Sequence, residues 1–138
     1  MLLEIIEQEK EIAERLDEVA NHLIIIRNNR TYLVFPVGDR EVVRFTIERA
    51  IKKGFDVLVA VFEAKMKSLS PEEMKTYKYG DVLKDEKAKD CVVIWGIEKE
   101  SNYRVYVIYE REGRKLKEVK RLENEDFDRV RGYLTFMG

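Results

Sequence analysis

The run Val57-Leu58-Val59-Ala60-Val61-Phe62 carries no polar residue. Successive strand residues point to opposite faces, so a strand that is apolar at every position is covered on both. A strand from about Phe55 to Lys65 is therefore expected at the centre of a sheet, and the remaining segments must supply its neighbours and its cover. The flanking sequence fits that demand. Leu2, Ile5, Ile12, Leu16, Val19 and Leu23 recur at three- and four-residue steps, an amphipathic helix that would also carry His22 near its end. Glu4, Glu7, Glu11, Glu14 and Glu18 line its opposite side, with Lys10 and Arg15 as the local relief for like charges at i,i+4.

Ile24 to Ile26 and Tyr32 to Phe35 read as strands around Asn28-Asn29, a pair that tolerates positive φ and so suits a tight hairpin. Asp39 suits an N-cap for a helix whose apolar stripe is Val43, Ile47, Ala50 and Ile51, with Gly54 at its left-handed end. Strand, helix, strand implies a parallel crossover if both strands join one sheet. Ser70-Pro71-Glu72-Glu73 is a capping box with proline in the first turn, and Gly80 closes that short helix. Cys91 to Ile97, Tyr103 to Tyr109 and Arg114 to Leu122 form a three-stranded meander turning at Ser101-Asn102 and Glu112-Gly113. In its middle strand Tyr103, Val105, Val107 and Tyr109 alternate as a core face, and the lysines of its last strand suit an exposed edge. Asn124 would cap a closing helix with Phe127, Val130, Leu134 and Met137 on one side. The expectation is one α+β domain over residues 1–138, a mixed sheet of five to six strands with order α-β-β-α-β-α-β-β-β-α and helices packed on it. In outline that order resembles the roadblock, profilin and GAF-like sandwiches, without a motif that assigns residues.

Much chemistry is excluded by inventory. No two of the seven glycines lie closer than six residues apart, so neither a dinucleotide fingerprint nor a P-loop can be written on this chain. His22 is the only histidine and Cys91 the only cysteine, which removes His-rich zinc sites and mechanisms needing two imidazoles and forbids an internal disulfide. A His22–Cys91 nucleophile pair is formally possible, but at a helix end and the start of an apolar strand both are expected to be structural. The leading residues carry glutamates where a signal peptide carries lysines, and no apolar run approaches the ~20 residues of a membrane span. A cytoplasmic home is expected, with no membrane partner. Gln8 is the only glutamine amid abundant Glu, Lys and Arg, a bias seen in hyperthermophile proteins.

Two constellations remain. Asp56 followed by Glu63-x-Lys65 on a strand resembles the PD-(D/E)xK nucleases; the resemblance implies carboxylates holding Mg²⁺ and a lysine steadying the developing charge. Glu63 and Lys65 share a face of the strand, whereas Asp56, seven residues before Glu63, falls on the other. The second is a segregation of charge beneath a net value of −1. Residues 1–22 hold seven acids and two bases, residues 27–67 nine bases and five acids, and residues 111–121 six bases and two acids. Arg111, Arg114, Lys115, Lys117, Lys120 and Arg121 crowd one hairpin beside Arg104 and Tyr106, a set suited to phosphates and stacked bases. The favoured expectation is a non-enzymatic interaction module without cofactor or metal. Its acidic N-terminal helix and basic C-terminal hairpin are complementary surfaces that would meet within one chain or across a two-fold between two chains. In the second case the module homodimerises, or binds another protein, through them. The alternative is a nucleic-acid-binding or Mg²⁺-dependent nuclease-like protein using Asp56, Glu63 and Lys65.

Overall fold

A computed structural model describes residues 1–34, 40–78, 80–124 and 135–136. Three helices, α1 (Leu2–Ala13), α2 (Arg40–Lys53) and α3 (Pro71–Thr76), accompany strands β1 (His22–Arg27), β2 (Arg30–Val34), β3 (Val57–Met66), β4 (Lys89–Glu98), β5 (Tyr103–Glu112), β6 (Lys115–Glu123) and β7 (Thr135–Phe136). The main sheet runs β2-β1-β3-β4-β5-β6, and β7 adds two residues alongside β3. The element order is the expected one through β6. The sheet, expected as mixed, is antiparallel at every described pairing. The crossover expectation survives in a longer form, because β2 and β3 point the same way with β1 between them.

The all-apolar strand takes the central place its composition requires. Val57, Val59 and Val61 join the core beneath α1, together with Leu2, Ile6 and Ala13 of that helix. Leu58, Ala60 and Phe62 face the other way, toward Ala50 and Ile47 of α2. Thus α1 and α2 lie on opposite faces of one sheet. Gly96 of β4 lets α1 come close: a Cβ there would sit 2.5 Å from Leu2 Cδ1 and 3.0 Å from the Leu58 carbonyl oxygen.

Local signals hold where they are short-range. Asn28 and Asn29 have φ of 51° and 62° and join β1 to β2. Ser70 Oγ accepts from Glu73 N at 3.2 Å while Glu73 Oε1 accepts from Ser70 N at 3.3 Å. Gly54 follows α2 with φ of 87°, the left-handed value that a side chain would disfavour. The meander and its alternating core face, Tyr103, Val105, Val107 and Tyr109, form as expected.

Three helices differ from expectation. α3 ends at Thr76, and Gly80, expected to close it, has φ of 98° and instead precedes the single turn Asp81–Leu83. α1 stops at Ala13, so Val19 lies in the connection, Leu23 and His22 belong to β1, and Ile12 and Leu16 are exposed. In α2, Ala50 is buried as expected but Ile51 is 59% exposed. The expected cap Asp39 lies outside the described residues. So does the closing helix, except for its expected cap Asn124, which has φ of 55° and accepts the Arg104 backbone N–H on Oδ1 at 3.1 Å, and for Thr135 and Phe136, which are extended and pair with Lys65 and Ala64. Among the described residues no helix is long and apolar enough to cross a membrane.

Candidate functional site

Glu63 sits on the α1 side of β3 and is 5% exposed. A carboxylate there needs partners, because desolvating an unpaired charge costs several kcal/mol. It has three donors on one oxygen: Arg111 Nε at 2.7 Å, Arg111 Nη2, and the Val19 backbone N–H at 2.9 Å, all to Oε1. The rest of the guanidinium caps the end of α1, Nη1 donating to the Leu16 carbonyl at 3.0 Å and Nη2 to the Ala13 carbonyl at 3.3 Å. The last carbonyls of a helix have no intrahelical donor, and the Ala13 carbonyl, which accepts the Leu16 N–H at 3.2 Å, gains a second donor from the guanidinium. Asn21 completes the junction by accepting the Glu63 backbone N–H at 3.0 Å on Oδ1.

The other two members of the nuclease-like trio are elsewhere. Lys65 shares the Glu63 face, is half-buried, and lies 3.9 Å from Oδ1 of the exposed Asp90. Asp56 precedes β3 and accepts the Asn28 backbone N–H at 3.0 Å, fastening the β1–β2 turn. Seven strand residues at ~3.3 Å each put it about 23 Å from Glu63. It lines an open groove of about 650 Å³ with Met1, Asn29, Glu98, Lys99 and Glu100. The trio therefore offers Mg²⁺ no shared coordination shell, and among the described residues no three His, Cys, Asp or Glu side chains are grouped to hold a metal ion.

His22 and Cys91 are separated by the sheet itself. His22 pairs with Val61 and faces α1, whereas Cys91 pairs with Ala64 and packs on the opposite face with Val93, Tyr106 and Ile108. Both imidazole nitrogens meet acceptors, Nδ1 the Ala20 carbonyl at 2.7 Å and Nε2 the Glu9 carboxylate at 3.2 Å. Both can donate only when the ring is protonated. Burial opposes that charge, but the hydrogen bonds to Glu9 and Ala20 outweigh it, and the pKa is raised above the usual 6.5. Burial pushes the Cys91 thiol up to about 12, with Glu63, Asp90 and Glu110 adding to it. Such a thiol is a small core hydrophobe rather than a nucleophile.

The basic hairpin is dispersed by the pleat. Arg111 is spent on Glu63 and α1, and Tyr106 is buried at 4% exposure. Arg114 Nε donates to Asp17 Oδ1 at 2.9 Å, and Arg121 holds Glu118 through Nε at 3.0 Å and Nη2 at 2.7 Å. Glu14 of the acidic stripe accepts the Leu116 backbone N–H at 3.0 Å, and Lys10 stands 5.7 Å from the Tyr109 ring centroid. The acidic and basic surfaces thus already meet at one corner within the chain. What remains exposed is Arg104, Lys115, Lys117 and Lys120, all on the sheet face opposite α1 by register with Ile97, Glu112, Glu110 and Ile108. On the outside of α1, Glu4, Glu7 and Glu11 are exposed beside Leu3 and Ile12. The outer face of α2 carries a feature outside the constellations expected from sequence. Phe45, off that helix's apolar stripe, is 60% exposed with the Arg49 guanidinium 6.0 Å from its ring centroid. An aromatic residue out of phase with the helical period was the signal. Comparison with known protein families, curated proteins and solved structures finds no match.

Proposed function

We propose that this chain is a non-enzymatic interaction module that self-associates through its segregated charge. The observation that carries the reading is the outer stripe Glu4, Glu7 and Glu11, exposed and without a basic partner within ion-pairing distance among the described residues, on a helix whose remaining carboxylate, Glu9, is held by His22. Like charges at helical spacing repel, so such a stripe is relieved by a cationic surface brought from outside. The groups with reactive potential serve the fold instead: Glu63 and Arg111 meet at the end of α1, His22 holds Glu9, and Cys91 fills the core. Because hairpin and α1 are partly joined in cis, the hairpin's contribution between copies falls to Lys115 and Lys117. A single buried cysteine supports a reducing, cytoplasmic setting.

Sedimentation velocity at two ionic strengths tests this. Association is expected at about 0.01 M salt, where the Debye length is ~30 Å, and dissociation at about 1 M, where it is ~3 Å. A monomer under both conditions ends the reading. A second reading, binding of single-stranded nucleic acid, rests on Arg104, Lys115, Lys117 and Lys120 sharing one sheet face. It predicts low-salt binding of a labelled RNA or DNA that Lys115→Ala with Lys117→Ala abolishes; no binding by the parent protein removes it.

A further inference from the structure

The partner of the acidic stripe has a second candidate in the chain besides the hairpin. Helix α2 carries Arg40, Arg44, Arg49, Lys52 and Lys53 against Glu41 and Glu48, the inverse of α1, which carries Glu4, Glu7, Glu9 and Glu11 against Lys10. Among the described residues no carboxylate lies within ion-pairing distance of Arg44, Arg49, Lys52 or Lys53. Each helix also exposes apolar side chains beside its charges: Leu3 and Ile12 at 45% and 48% flank the acidic stripe of α1 on either side, and Phe45 lies on the outer face of α2 at 60%. At 1.5 Å per residue the two helices are about 18 and 21 Å long, so either can run the length of the other.

We infer that the outer face of α1 in one copy docks on the outer face of α2 in a second copy. This rests on the self-association reading and names the surface that completes it. Charge complementarity favours the pairing: α1 on α1 would set like charge against like, whereas Arg44, Arg49, Lys52 and Lys53 of α2 outnumber its exposed Glu41 and Glu48. The sheet lies between the two helices, so one molecule presents its acidic and basic faces on opposite sides. The contact is heterologous: it leaves a free acidic face at one end and a free basic face at the other, and it repeats. One helix on another is a small interface, so the assembly grows with concentration rather than existing as a fixed tight dimer.

Two charge-reversed proteins test the pairing, one with Glu4→Lys, Glu7→Lys and Glu11→Lys, the other with Arg44→Glu, Arg49→Glu and Lys52→Glu. All six positions are exposed, and circular dichroism checks that each variant is folded. In low salt the parent's weight-average mass should rise with concentration. Each variant alone should stay monomeric, and mixing the two should restore association. Phe45→Ser, which alters no charge, should also weaken assembly. If the parent associates and both α2 variants associate equally well, while Lys115→Glu with Lys117→Glu abolishes it, the inference is wrong and the self-association reading stands. A parent that is monomeric throughout overturns both.

Discussion

Glu63 and Arg111 show how a charged pair can shape a fold while adding little net stability. Burying both ions costs about what their attraction returns, but removing one leaves the other uncompensated. Glu63→Ala is expected to destabilise the protein by about 3–5 kcal/mol in urea unfolding, whereas Glu63→Leu with Arg111→Met recovers most of that loss. Gly96→Ala should cost about 1–3 kcal/mol in the same assay, because the added methyl meets Leu2 Cδ1 at 2.5 Å and backbone oxygen behind it. His22 has a pH signature. Its folded pKa is raised by Glu9 and Ala20 against the cost of burial, so its contribution is complete below the unfolded value of 6.5 and is lost as pH climbs through the higher folded one. The stability gap between the parent and Glu9→Gln should therefore narrow as the solution is made alkaline; a gap that widens would assign the histidine the wrong protonation state.

At the level of the element, the position of a boundary depends on how far away its determinant lies. The start of α3 is written in four consecutive residues, and Ser70→Ala should loosen that helix by about 1 kcal/mol, read as faster amide exchange at Glu73 and Met74. Lys67 anchors the same region, donating to Asp85 at 2.6 Å and Glu73 at 3.2 Å, and its ammonium holds the Asp85 carboxyl down to about 2. The end of α1 is different. Its apolar period continues through Leu16 and Val19, yet the helix stops at Ala13, where Arg111, 98 positions away, donates to the Ala13 carbonyl and Glu63 accepts the Val19 N–H. The two sheet edges differ likewise. β6 is guarded by lysines and by a bulge, since Ile108 pairs with Lys120 and Tyr109 with Glu118, leaving Val119 unopposed. β2 instead exposes Tyr32 and Leu33 at 43% and 55%, and Arg27 stands 5.5 Å from the Tyr32 ring centroid.

Across the whole molecule, Cys91 reports on cooperativity. It is 0% exposed between β3 and β5, with its thiol pushed up by burial, so alkylation should proceed only as fast as global unfolding and accelerate in Glu63→Ala. Rapid labelling of the folded parent would contradict that packing. Composition and period by themselves determined the central strand, the Asn28-Asn29 hairpin, the capped α3 and the meander, because each depends on residues that are neighbours in the chain or on burial of one continuous run. The tertiary structure decided the rest. In the alternative nuclease-like reading Glu63 is a metal-holding carboxylate beside Lys65 and Asp56, and Arg111 a phosphate-binding cation of the hairpin; the fold sets Glu63 against Arg111 and leaves Asp56 ~23 Å away along the strand. The acidic helix and basic hairpin were legible as complementary, but only the packing showed that Asp17 and Arg114 already join them within one chain. Which face a charged side chain occupies is set by register and by what lies across the sheet, and neither is a property of the residue or its neighbours in sequence.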